Sequence, residues 1–125
     1  MKVERREDVR LVSLTRICLA LPEAKRELQD DQARFFVRTR TFAYFLNSHH
    51  GDGIVSVACK ADREEIAALL ERDSTRYYSP DYIGPRGWIA FCLDVKPVDW
   101  DAVRWLIVGS YRLVAPTKLA ASVEP

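Results

Sequence analysis

The chain has no uninterrupted apolar run of the roughly 18 residues that a membrane helix needs. Its first ten residues, MKVERREDVR, are mostly charged and lead into an amphipathic stretch, so they do not read as a secretory signal. A cytoplasmic protein with no membrane partner is the expectation. Cysteine is scarce and badly spaced for a zinc site or a disulfide framework: Cys18, Cys59 and Cys92 lie far apart, are odd in number and form no CxxC pair. Each sits in an apolar run (RICLAL, VSVACK, IAFCLD), where a reduced thiol behaves as a small buried hydrophobe. The two histidines, His49 and His50, are neighbours in NSHHGDG. Adjacent side chains seldom point at one ion and no spaced partner ligand accompanies them, so no metal is expected. There is no GxSxG, no GxGxxG and no Walker-type lysine. No motif sets a serine or cysteine beside a base that a third group orients. Neither a cofactor nor a catalytic set is expected, and the chain reads as a non-enzyme.

Charge of one sign is also missing. The formal net charge is +1 and the pI about 7.7, which excludes a strongly basic nucleic-acid binder but leaves room for a local basic patch. What remains is ordinary for a globular protein: 48% apolar and 30% charged residues over 125 positions. That length predicts one domain, residues 1–125, able to bury a core without staples. No repeat, low-complexity tract or change of composition divides it.

Periodicity predicts a helix over 8–21, with Leu11, Leu14, Cys18 and Leu21 on one stripe, Asp8 as N-cap and Pro22 as the stop. AKRELQ (24–29) alternates weakly and DDQ (30–32) is a turn by composition. ARFFVRTRTFAYFL (33–46) is aromatic and β-branched, hence one strand, or two with a tight turn near Arg40. Residues 47–53 read as a loop and IVSVACK (54–60) as a strand. A helix follows Asp62, whose spacing to Glu65 is that of a capping box. Residues 72–87 are a long loop with room for one helical turn, WIAFCL (88–93) is a strand, and a last helix starts at Asp99 and ends before Pro116. Strands joined by short connections pair antiparallel, so the fold class is α+β: an antiparallel sheet with helices packed on one face.

The segments LPEA, GIVSVACKADREEIAALLE, GPRGWIAFCLD, VDWDAVRWLI and SYRLVAPTKLA, in this order, resemble the small bacterial MmcQ/YjbR-like proteins over roughly residues 9–121. Gly87-Trp88, Asp99-Trp100 and Ser110-Tyr111 carry most of the likeness. The resemblance implies a curved antiparallel sheet in a frataxin-like or double-wing arrangement, and a DNA-binding role of the kind such winged folds are given. Many members have a His-Pro-Trp-Gly-like segment in the first strand region, where this chain has AKRELQDDQ. The clustered acidic face that a frataxin-like iron function wants is broken here by Arg5, Arg6 and Arg10.

Between Asp31 and Asp52 there is no acidic residue, yet Arg34, Arg38 and Arg40 occur. On one regular strand they would share a face with Phe36. Guanidinium forks suit phosphate and an aromatic ring can stack a base. The same pattern also fits a solvated sheet face with arginine stems over apolar surface. Tyr82, Arg86 and Trp88, in the loop ahead of WIAFCL, offer further stacking faces and a phosphate contact, or simply pack that loop. Lys118 is another candidate contact, or complements a helix C-terminus. Together these eight residues make a non-enzymatic binding module with weak, sequence-tolerant affinity for DNA the preferred expectation. A protein-interaction or small-anion-binding domain on the same sheet face, and an enzyme of unknown chemistry, are the alternatives.

Overall fold

A computed structural model describes residues 7–48 and 51–123. Helix α1 (Val9–Leu19) begins where Asp8 accepts a hydrogen bond from the Arg10 backbone N–H, and it turns Leu11, Leu14 and Cys18 inward. Strands β1 (Ala24–Gln29), β2 (Gln32–Val37), β3 (Arg40–Asn47) and β4 (Val55–Lys60) follow as a meander. Helix α2 (Arg63–Arg72) is capped by Asp62, and α3 (Trp100–Val114) by Asp99, as the spacing predicts. Between them lie the two-residue β5 (Tyr77–Tyr78), a 3₁₀ turn at Gly84–Arg86, and β6 (Trp88–Cys92). A short α4 (Thr117–Ala121) ends the described chain.

The six strands form one antiparallel sheet in the order β1-β2-β3-β4-β6-β5. Phe35, Val37, Phe45, Val57, Cys59, Ile89 and Phe91 point to one face and are sealed by Leu14, Val103, Ile107 and Tyr111 from the helices. This is the expected α+β architecture. Its departures from the sequence reading are local. β5 and α4 lie where a loop and a chain end were expected, each too short for periodicity to register. The 3₁₀ turn supplies the helical turn that the long loop had room for. His49 and His50, considered as metal ligands, lie outside the described residues.

One irregularity organises the centre of the sheet. Phe35 pairs with Ala43 but Phe36 pairs with Thr41, so Phe42 is an extra residue in β3. A bulge of this kind lets Phe42 and Ala43, consecutive in sequence, both face the core, and it removes a backbone group from the ladder. Ser110 of α3, itself fully buried, repairs this: its hydroxyl donates to the Phe42 carbonyl at 2.5 Å and accepts the Lys60 backbone N–H at 2.9 Å. Next to it, the Tyr111 ring meets Phe42 edge-on at 5.4 Å and its hydroxyl donates to the Pro22 carbonyl at 2.7 Å. Two adjacent residues thus tie α3 to the bulge, to the end of β4 and to the corner before β1.

Each backbone group stranded in a dry site costs about 1–3 kcal/mol. Ser110→Ala strands two, so urea unfolding should show a loss of about 2 kcal/mol or more. Tyr111→Phe, which frees a half-buried carbonyl that water can reach, should lose only about 1 kcal/mol. Equal losses for the two variants would contradict this account of the bulge.

Candidate functional site: the far sheet face and its basic end

Register places Glu27, Arg34, Tyr44, Ala58, Ala90 and Tyr78 in one row across all six strands, on the face away from the helices. That face was expected to be open. Instead the segment after β5 folds back over part of it. Trp88, Ala58 and Ala90 form a second small core there, covered by Tyr44, Leu46, Tyr78 and Ile83. Trp88 is 9% exposed and lies 5.3 Å from the Tyr44 ring. The buried Ser56 hydroxyl and the Tyr78 hydroxyl share a 2.7 Å hydrogen bond that pins the start of the segment to β4. The αL turn at Gly87, φ 92°, then brings the chain into β6. The long loop is therefore packed, and it forms the wall of a cleft.

The structure separates the arginines that the sequence placed on one strand face. The chain turns at Arg38 and Thr39, with Arg38 at φ 57°, so β2 ends before it and Arg40 opens β3. Arg34 lies mid-face. It donates to the Thr41 hydroxyl at 2.7 Å, approaches the Glu27 carboxylate at 3.5 Å and stacks on Phe36 with its guanidinium carbon 4.2 Å from the ring centre. Arg38 makes a two-pronged pair with Glu23 at 2.7 and 3.0 Å, which holds the Glu23 carboxyl below its ordinary range. The expected common face of Arg34, Phe36, Arg38 and Arg40 is thus corrected by a turn that composition did not resolve. Trp88 is packed away, and the guanidinium of Arg34 occupies the Phe36 ring, so neither serves as a free stacking platform. Tyr82 is exposed, at φ 68°, on the lip of the cleft.

A different grouping emerges at one end of the sheet. Antiparallel register brings the end of β2, the start of β3, the end of β4 and the start of β6 together. Arg38, Arg40, Lys60, Arg63 and Arg86 lie at or just beyond these strand ends, and the Arg63 guanidinium donates to the Pro85 carbonyl at 3.2 Å. The turn 37–40 also lines a hollow of about 330 Å³ with residues 113–117, which puts Lys118 next to this end. Acids are present, but Glu23 is held by Arg38 and Asp62 by its cap; Glu64 and Glu65 lie in the first turn of α2. At the opposite end stand Asp30, Asp31, Asp52 and Asp94. Sequence reading found four members of the basic end and missed Lys60 and Arg63. The missing signal is the pairing register, which aligns strand ends far apart in the chain.

Burial disfavours the thiolate form at all three cysteines. Cys18 and Cys59 are fully buried, and desolvation raises both well above the ordinary thiol range. Cys92 is half-buried rather than buried as expected, and it too is raised by burial. No group of three or more His, Cys, Asp or Glu side chains with metal-holding geometry occurs among the described residues.

A family model described as YjbR matches residues 19–113. Among solved structures, the Deinococcus radiodurans protein DR2400, with a domain described as DUF419, superposes with a TM-score of 0.70 at 21% identity, covering 86% of this chain and 80% of that one. At that identity the likeness speaks for the fold. No curated protein matches the chain.

If the Tyr78–Ser56 bond pins the loop, Tyr78→Phe and Ser56→Ala should each lower stability by about 1–2 kcal/mol and the double variant by little more than either. Full additivity in a double-mutant cycle, read by urea unfolding, would show that the bond does not hold the segment down.

Proposed function

The chain belongs to the YjbR family, and from that premise and the placement of its cations we propose that it is a non-enzymatic binding module that engages the phosphate backbone of nucleic acid through the basic end of its sheet. The observation that carries the reading is the convergence of Arg40, Lys60, Arg63 and Arg86 at the ends of β3, β4 and β6 and the start of α2. Arg38 and Lys118 flank them from the β2–β3 turn and from α4. Backbone contacts of this kind position a duplex or a single strand without reading its bases, which fits a nearly neutral chain with a local cationic edge. Arg34 and Phe36, half-buried and engaged with each other, are left to the sheet face. Of the three aromatic candidates, Tyr82 is the side chain that stands exposed.

The test is fluorescence anisotropy with labelled duplex and single-stranded DNA. Three neutralised phosphates imply roughly a 40-fold loss of affinity between about 50 and 200 mM salt. An Arg40→Glu/Arg86→Glu variant, checked by circular dichroism for an unchanged fold, should weaken binding at least about tenfold and flatten the salt dependence. Failure of both DNAs to bind at the lower salt, or wild-type affinity in the double variant, defeats the proposal.

A further inference from the structure

The far sheet face holds a cleft of about 520 Å³, closed on one side by the segment 78–83 and at one end by Asp52 and Ile54. We infer that this cleft binds a small organic cation with a flat apolar body. The inference does not rest on the nucleic-acid reading, because none of the cations of the basic end lines the cleft.

Size is the first argument: a cleft of a few hundred cubic ångströms matches a compact organic molecule. The walls are the second. Tyr44, Leu46, Ile54, Tyr78 and Ile83 present rings and aliphatic side chains to the space. A flat apolar body among them sheds water from both of its faces. Charge decides the rest. Among the described residues, Glu27, Asp52 and Asp81 line the cleft against a single cation, Arg34. That guanidinium already faces Glu27 and Thr41 and lies on Phe36, so it is poorly placed to draw in an anion. An ammonium group finds carboxylates at Asp52 and Asp81 and tyrosine ring faces whose quadrupole favours positive charge. A carboxylate or phosphate in the same place meets net repulsion. The walls also stand ready without ligand, since the Tyr78–Ser56 bond, the buried Pro80 and the Ile83 contact with the second core hold the segment in position. Pre-formed walls lower the ordering cost of binding.

Three probes of one shape separate the charge states: tryptamine as cation, indole-3-ethanol as neutral analogue and indole-3-acetate as anion. Each is titrated into the full ¹⁵N-labelled chain. Tryptamine should move amides in 44–46, 52–54 and 78–83 with a dissociation constant of about 2 mM, as roughly twelve heavy atoms at ordinary ligand efficiency give. The neutral analogue should bind several-fold more weakly and the anion more weakly still. Asp52→Asn/Asp81→Asn should lower tryptamine affinity about fivefold, the scale of one exposed ion pair. The amide oxygen that this variant carries at position 52 can still accept the Ile54 N–H, so the local turn is kept. The Arg40→Glu/Arg86→Glu variant should bind tryptamine as wild type does, so failure of the nucleic-acid reading leaves this result unchanged. Equal or tighter binding of the anion, amide shifts confined to other residues, no response to tryptamine up to about tenfold above the expected constant, or full affinity in the Asp variant each overturns the inference.

Discussion

Ser110 and Tyr111 sit side by side on α3 and bind three separated parts of the chain: the β3 bulge, the last residue of β4 and the corner after α1. Much of the rest follows from that clamp. The bulge tilts β3 so that Phe42 and Ala43 both enter the core, and α3 can lie close only because a side chain as small as serine fills the contact and satisfies the backbone there. Lys60 is held at the strand end by the same hydroxyl. The pair resembled a family signature at the level of sequence; in the fold it acts through hydrogen bonding and ring packing, deep within the protein.

The far side of the sheet is governed by a competition between exposure and cover. A one-sided sheet would leave Tyr44, Leu46, Ala58 and Ala90 wet. The segment after β5 returns over them, and Trp88 becomes a second core with Ile83 as its lid. The cover is incomplete, and the uncovered part is the cleft. Its carboxylates and the guanidinium groups at one end of the sheet divide the molecule's charge, so a near-zero total conceals two regions of opposite character. A basic end suits a polyanion and an acidic cleft a small cation, and no cation of the basic end lines the cleft.

Several features were legible in the sequence because their causes are local. Asp8, Asp62 and Asp99 cap helices with their own neighbours' N–H groups and Pro116 follows α3, so short-range chemistry fixes these boundaries; α1 instead ends at Leu19, two residues short of the stop that Pro22 predicts. The apolar stripes of α1 and α3 and the run VSVACK declared their buried faces, and the antiparallel α+β class followed from the short connections. The family signature pointed to the same architecture.

What the tertiary structure alone decided depends on contacts between residues distant in the chain. Whether ARFFVRTRTFAYFL was one strand or two could not be read from composition, since Arg38 and Thr39 carry no turn signature and adopt the turn under the constraint of paired neighbours. That choice sent Arg34 into the face and Arg40 to the edge. Lys60 and Arg63 joined Arg86 only through the β4–β6 register, and Glu27, Asp52 and Asp81 met only because β1, the loop before β4 and the segment after β5 border one space. Helix caps and hydrophobic stripes are written within a few residues of each other; charge neighbourhoods across a sheet are set by register, which no local window contains.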